Sequence, residues 1–265
     1  MEFQHKKSLG QNFLNNPRIS EYVAAAGEVT GDDLIIEIGP GTGALTKELL
    51  NHGASVVAIE ADSRAVKILQ ETFKEEISST KLTLLHADIK KFDLTSLNLN
   101  PLSFKVVANI PYYLSSYLLR LFLDTDVQPS DLVFLVQKEV AERIARDEKE
   151  SLLSLSVKIF GTPQYIKTVK RGNFTPQPKV DSAILKITDI GQERLRGIDS
   201  DFFFSIIHEG FKSKRKQLLG NLAKNYDRAV LTNIFSTLNL PLDVRAEDVH
   251  LEMWLKLCHE LSTKV

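Results

Sequence analysis

Leu34-Ile35-Ile36-Glu37-Ile38-Gly39-Pro40-Gly41-Thr42-Gly43-Ala44 is the stretch on which the fold turns. Its first five residues are apolar but for Glu37, which reads as a buried strand. Glycines follow at 39, 41 and 43, and from Ala44 to Asn51 the apolar residues recur at helical spacing. Glycines let the backbone turn tightly and approach a ligand closely, at the amino end of the next helix. The loop by itself is unspecific, since it also satisfies the loose dinucleotide pattern with Ala44 in the last glycine's place.

The alternation continues on either side. Ser55–Glu60, Leu82–His86, Lys105–Asn109 and Asp131–Gln137 are further strand-like runs, and stretches such as Ser63–Ile77 between them carry helical spacing. Such alternation predicts an α/β fold, a mostly parallel sheet with helices on both faces. Gln164–Lys170 and Ser182–Thr188 flank the turn-rich Gly172-Asn173-Phe174-Thr175-Pro176-Gln177-Pro178, so a hairpin-like pair with a long loop is expected to close a seven-stranded sheet. Ile190–Ser200 is polar and aperiodic and reads as a linker. Beyond it Asp201–Phe211, Ser213–Asn225, Asp227–Leu238 and Ala246–Leu261 read as four short helices, with Asp201 placed to cap the first and Pro241 interrupting before the last. The expected domains are residues 1–189 and a small helical one over 200–265.

Composition sets outer limits. The chain has 265 residues, 43% of them hydrophobic, an ordinary globular balance. No run approaches the roughly 20 apolar residues of a membrane span, and the amino terminus lacks the apolar core of a signal peptide. The lone cysteine, Cys258, forms no internal disulfide and fits a reducing compartment. A cytoplasmic protein with no membrane attachment is expected. The net charge of -1 hides local excess: Tyr165–Lys186 and Glu209–Arg228 each carry a net +4. Either stretch can be a solvated surface or part of a basic, nucleic-acid-facing side.

Successive strands end in Gly39, Glu60, Asp88 and Asn109, which places all four along the carboxyl edge of the sheet, where open α/β folds bind ligands. Glu60 is placed to accept from ribose hydroxyls, which suits NAD and S-adenosylmethionine alike. Asp88 suits an adenine amino group, and equally a helix cap. Asn109-Ile110-Pro111-Tyr112 separates the readings. An amino group conjugated to a ring is a poor nucleophile. The Asn109 amide oxygen and the Ile110 carbonyl accepting its two hydrogens favour a more tetrahedral nitrogen, while Tyr112 stacks on the ring. The proton can leave after a methyl group arrives, so no strong base is needed. An NAD-dependent oxidoreductase has no evident hydride-transfer His or Tyr-Lys pair here. A nucleic-acid-binding assembly protein with a vestigial site is opposed by the intact set of strand-end residues.

With these residues in hand the chain resembles the KsgA/Dim1 family of bacterial ribosomal RNA small-subunit adenine dimethyltransferases. The resemblance covers nearly the whole chain, from Lys7-Ser8-Leu9-Gly10-Gln11-Asn12-Phe13-Leu14 through Asn109–Tyr112 to Phe174-Thr175-Pro176-Gln177-Pro178-Lys179-Val180-Asp181-Ser182. It implies a Rossmann-like class I methyltransferase fold and S-adenosylmethionine as methyl donor, with no metal. It also implies dimethylation of N6 on two adjacent adenosines near the 3′ end of 16S ribosomal RNA in an immature small subunit, by a monomer. Carried over residue by residue, Gln11, Asn12, Leu14, Gly39, Gly41, Glu60, Asp88 and Asn109 are expected around the donor, with Glu37 bracing the loop. Asn109, Pro111, Tyr112 and Phe174 are expected around the target base. Phe174 is read as sandwiching that base against Tyr112, or as a core residue anchoring its loop. Tyr113 stands where relatives often have Asn, and Ser115-Ser116 departs from the usual continuation, which leaves the start of the next helix open.

Overall fold

The computed structural model describes residues 12–263. The chain forms two compact units, one running to Ala141 and resuming over Pro163–Ile190, the other comprising Glu142–Thr162 and the chain from Gly191 onward.

In the first unit, β1 (Phe13–Leu14) precedes α1 (Pro17–Ala26), and β2 (Leu34–Ile38) leads into α2 (Ala44–Asn51). Then come β3 (Ser55–Glu60), α3 (Ser63–Thr72), α4 (Lys74–Ser78), β4 (Leu82–His86), β5 (Lys105–Asn109), α5 (Ser115–Leu123) and β6 (Asp131–Gln137). β7 (Thr162–Val169), β8 (Phe174–Thr175) and β9 (Ser182–Thr188) complete the strands. Seven of these form one sheet in the order β4-β3-β2-β5-β6-β9-β7. β2 runs parallel to both β3 and β5, β6 runs parallel to β5, and β9 is antiparallel to β6. The order therefore reverses between β2 and β5, and a crevice opens beyond the carboxyl ends of strands at such a switch point.

Local chemistry sets the helix starts. The Asn16 side chain accepts from the Arg18 backbone N–H ahead of Pro17, and Asp62 caps α3 through the Arg64 N–H. The helical run expected over Ser63–Ile77 breaks at Phe73, whose φ of -113° and ψ of 38° leave the helical region. The break delivers the Phe73 ring, 4% exposed, to the glycine loop. α5 forms despite its unusual start, and the Ser115 hydroxyl donates to the Tyr112 carbonyl at 2.8 Å. Ile35, Leu49, Ala58, Leu69, Val107, Val133 and Leu135 bury completely around the sheet.

The second unit holds α7 (Leu152–Lys158), α8 (Ser200–Phe211), α9 (Leu218–Leu222), α10 (Arg228–Thr237) and α11 (Leu251–Ser262), while α6 (Lys138–Ala145) contains the division between units. Its extent differs from the boundary expected near residues 190–200. Phe160 packs on Phe204 with centroids 6.1 Å apart, and the Glu150 N–H donates to the Glu247 carbonyl, which ties 142–162 to the later helices. Nor is Ile190–Ser200 a free linker: Leu195 is buried, and the Arg194 guanidinium donates to the Lys158 carbonyl at 2.7 Å. Asp199, not Asp201, caps α8, accepting from the Phe202 N–H at 2.9 Å. Ser213–Gln217 lies outside helix; Asn221 pins this turn by donating to the Gly210 and Ser213 carbonyls.

Candidate active site

Residues from the amino-terminal segment and from the ends of β2, β3, β4 and β5 surround a cleft of about 870 Å³, counted with its open mouth. Asn12, Leu14, Gly39, Gly41, Glu60, Asp88, Asn109 and Pro111 all line it, so the structure brings together nearly every strand-end residue singled out in the sequence. Gln11 and the Lys7–Gly10 motif residues lie outside the described residues.

The glycine loop is shaped by backbone that side chains disfavour. Gly39 and Gly41 have φ of +67° and +60°, and a Cβ on Gly41 would stand 2.4 Å from Cε1 of Phe13. The Gly41 N–H donates to Glu60 Oε2 at 3.0 Å, and the Asp62 N–H donates to Oε1 at 2.8 Å. Glu60 is 5% exposed, and burial, only partly offset by these bonds, holds its carboxyl above the usual range. A carboxylate has about four lone-pair sites, so lone pairs beyond these two bonds remain for a ligand.

Glu37, buried near the end of β2, also lines the cleft beside the loop. Its Oε2 accepts from Thr46 Oγ1 on α2 at 2.7 Å. Burial, against that bond, pushes its carboxyl up to about 8, so the group is largely protonated at neutral pH. The contact ties the loop's two ends together, strand to helix. Thr46 was not legible as a partner, although its position on the first turn after the glycines is the signal that points to it.

Asp88 caps the turn, its Oδ1 accepting from the Lys90 N–H at 3.0 Å, and the residue also lines the cleft. Asn109 donates from Nδ2 to the Asn12 carbonyl at 3.1 Å, which couples the end of β5 to the segment across the cleft. Tyr112 is half-buried, and its hydroxyl lies 2.6 Å from Oγ of Ser182, a fully buried residue at the start of β9. Burial is the main reason its phenol is raised above the ordinary range. The side chain that joins the cleft wall next to Pro111 is Tyr113.

Phe174 takes the second of its two readings, a core residue anchoring its loop. It pairs with Leu14 across the β1–β8 ribbon and is 2% exposed within the hydrophobic core. The ribbon draws the ring inward, so the expected sandwich with Tyr112 is not assembled in this structure. The basic stretches are likewise thinner than their sequence counts. Lys186 is buried against Glu28, Lys170 pairs with Asp181, and the Lys167 ammonium lies 3.6 Å from the centroid of the Tyr22 ring. In the second unit Lys212 pairs with Glu209, while Arg215, Lys216 and Arg245 line an open surface cleft with Gln217, Gly220 and Asp243.

The family model for ribosomal RNA adenine dimethylase matches residues 2–263. The chain belongs to this family. Its members are S-adenosylmethionine-dependent methyltransferases of ribosomal RNA, and the mostly parallel seven-stranded sheet described above is a class I methyltransferase fold. Ribosomal RNA small subunit methyltransferase A of Dehalococcoides mccartyi strain CBDB1 is 37% identical over 260 residues, 97% of this chain and 88% of that protein. The protein of the same name from Clostridium botulinum strain Langeland is 35% identical, over 97% of this chain and 94% of its own length. Among solved structures, a dimethyladenosine transferase from Plasmodium falciparum superposes with a TM-score of 0.81 at 26% identity, covering 95% of this chain and 98% of that one. The 23S rRNA methyltransferase ErmE, at 23% identity, shares the fold with a TM-score of 0.73 over 95% of this chain and 100% of that one. Among the described residues no cluster of His, Cys, Asp and Glu could hold a metal ion, and no helix is long and apolar enough to cross a membrane.

Proposed function

We propose that this rRNA adenine methyltransferase places two methyl groups on N6 of each of two adjacent adenosines near the 3′ end of 16S ribosomal RNA. Its substrate is the immature small subunit, it works in the cytoplasm, and it acts as a monomer. The observation that carries the reading is Asn109 in the cleft wall, with one amide N–H given to the Asn12 carbonyl.

The residues fit S-adenosylmethionine. A Cβ at Gly41 would overlap the Phe13 ring, so only a bare glycine lets the loop backbone pass this close to the cleft wall. Gly39 and Gly41 offer close backbone approach, Glu60 accepts from the ribose, and Asp88 accepts from the adenine amino group. Asn12 and Leu14 line the same cleft, and by resemblance Gln11 joins them. When bound, S-adenosylmethionine supplies an electrophilic methyl on a cationic sulfur.

The target adenine has to leave its stack to reach this cleft. Flipping the Asn109 amide would forfeit its bond to Asn12, so Oδ1 is the atom presented to the incoming amine. That oxygen and the Ile110 carbonyl accept the two amine hydrogens and draw the lone pair out of conjugation. Tyr112 stacks on the base, its tilt fixed by Ser182. In the second transfer one N–H remains, and a single acceptor suffices. Much of the acceleration comes from alignment of nitrogen, methyl and sulfur. Lys179, Lys214, Arg215 and Lys216 hold phosphates, which position RNA without reading its sequence.

Asn109→Ala tests the assignment. Transfer of labelled methyl to immature small subunits should fall by about a hundredfold or more, on the scale of removing one preorganised hydrogen-bonding group, with the melting temperature unchanged. Near-normal transfer would defeat it.

A further inference from the structure

Tyr113 combines three features that the mechanism above does not use. It is 58% exposed, unusually open for an aromatic ring, yet it lines the cleft beside Ala87, Asp88 and Ile89. The Lys90 ammonium lies 5.0 Å from its ring centroid. Lys90 itself is not among the residues that line the cleft. Partial burial and, secondarily, the charge of Asp88 raise the Tyr113 phenol.

A short 3-10 turn, Tyr112–Leu114, sets this geometry. Leu114 is buried beneath it and the Ser115 hydroxyl returns to the Tyr112 carbonyl, so the turn is fixed from below and behind. Tyr112 and Tyr113 therefore diverge: the first reaches Ser182, the second faces the β4 end of the cleft. An asparagine at position 113 would be too small to form that wall.

We infer that Tyr113 is a donor-binding residue, its ring forming an aromatic wall against the adenine of S-adenosylmethionine at the Asp88 end of the cleft, with Lys90 holding the ring in place. The inference rests on the methyltransferase reading above and adds a contact for the donor, not for the RNA. Every purine has a π-face, and a planar aromatic side chain restrained on one side loses little freedom when it stacks on the other. A cation near the ring restrains it without occupying the pocket. Asp88 and Tyr113 then divide the work: the carboxylate reads the amino edge and the ring covers the face.

The test is calorimetric titration of the full chain with S-adenosylhomocysteine, together with steady-state KM values for S-adenosylmethionine and for small subunits. Tyr113→Ala and Tyr113→Asn should raise the S-adenosylhomocysteine Kd roughly tenfold, in the range of one lost base–aromatic stack. Tyr113→Phe should stay within about twofold, because the ring and not the hydroxyl makes the contact. Lys90→Ala should cause a smaller loss than Tyr113→Ala, of about two- to threefold. The KM for S-adenosylmethionine should rise in step while the KM for small subunits holds. Unchanged S-adenosylhomocysteine binding by Tyr113→Ala overturns the inference, and a rise in the small-subunit KM alone would assign the ring to an RNA base instead. If the unsubstituted chain bound no S-adenosylhomocysteine, the methyltransferase reading itself would fall, and this inference with it.

Discussion

Replacing Gly43 and Gly41 by alanine, one at a time, separates what the glycine loop does for the fold from what it does for the cleft. Both lie in left-handed backbone, at φ of +86° and +60°, so each alanine carries a backbone cost of about 1–2 kcal/mol. What the new methyl meets is different. At Gly43 it would stand 2.5 Å from Cε2 of Phe73 and 3.0 Å from Cδ2 of Leu69. Both residues are buried in the core, and overpacking there adds about 1–3 kcal/mol. The sum, about 2–5 kcal/mol, should lower the melting temperature by at least about 4 °C, at roughly 2–4 °C per kcal/mol for a chain of this size. At Gly41 the methyl meets the half-buried Phe13 ring, a cleft-wall residue outside the buried core, so displacing that ring disturbs the cleft. That variant should lose only the backbone term in stability, while its S-adenosylhomocysteine Kd rises on the order of tenfold, worth about 1.4 kcal/mol. Thermal melts and calorimetric titrations on both variants read the two effects separately. A Gly43→Ala variant that melts like the parent chain, or a Gly41→Ala variant that binds undiminished, would refute this division of roles.

Glu37, pushed up to about 8 from 4.5 by burial, binds a proton in the folded state that the unfolded chain releases. Its stabilising contribution is fully present below about 4.5 and is lost as pH rises through about 8. Glu37→Gln, which cannot ionise, should therefore gain on the parent between about pH 5 and pH 8.5 in urea melts; parallel pH profiles would contradict this. Ser182→Ala removes the partner of a half-buried phenol, at a cost of about 1–3 kcal/mol. It should also lower kcat with little change in the KM for S-adenosylmethionine, and a parental kcat would remove Ser182 from the positioning of Tyr112. Burial pushes the Cys258 thiol up to about 12, so a thiol reagent should label it only as fast as the second unit opens; stoichiometric labelling of the native chain within seconds would refute its burial.

The sheet was legible because its strands carry local signals. Leu34–Ile38, Ser55–Glu60, Leu82–His86, Lys105–Asn109, Asp131–Gln137 and Ser182–Thr188 form over the residues where apolar runs and turn residues place them. The strand-end residues were legible for the same reason, since a parallel sheet puts the ends of neighbouring strands together. Long-range pairings were not. Ser182 and Tyr112 are 70 positions apart, and nothing in either neighbourhood marks the hydroxyls as partners. Phe174 carries the same composition cue whether its ring faces a base or the core, and only the register of β8 on β1 decides. The break at Phe73 was hidden because helical spacing persists on both sides of it. The polar, aperiodic composition of Ile190–Ser200 reads as a linker, although its Arg194 guanidinium is committed to the Lys158 carbonyl of its own unit.

Mass-spectrometric mapping of methylated adenosines is the most direct measurement of the central claim. Small subunits are isolated from cells lacking this protein and incubated with the purified chain and S-adenosylmethionine. Two adjacent N6,N6-dimethyladenosines should appear near the 3′ end of 16S ribosomal RNA, and be absent when Asn109→Ala replaces the parent chain. Methylation confined to another RNA or another atom, or none despite bound donor, would contradict the account.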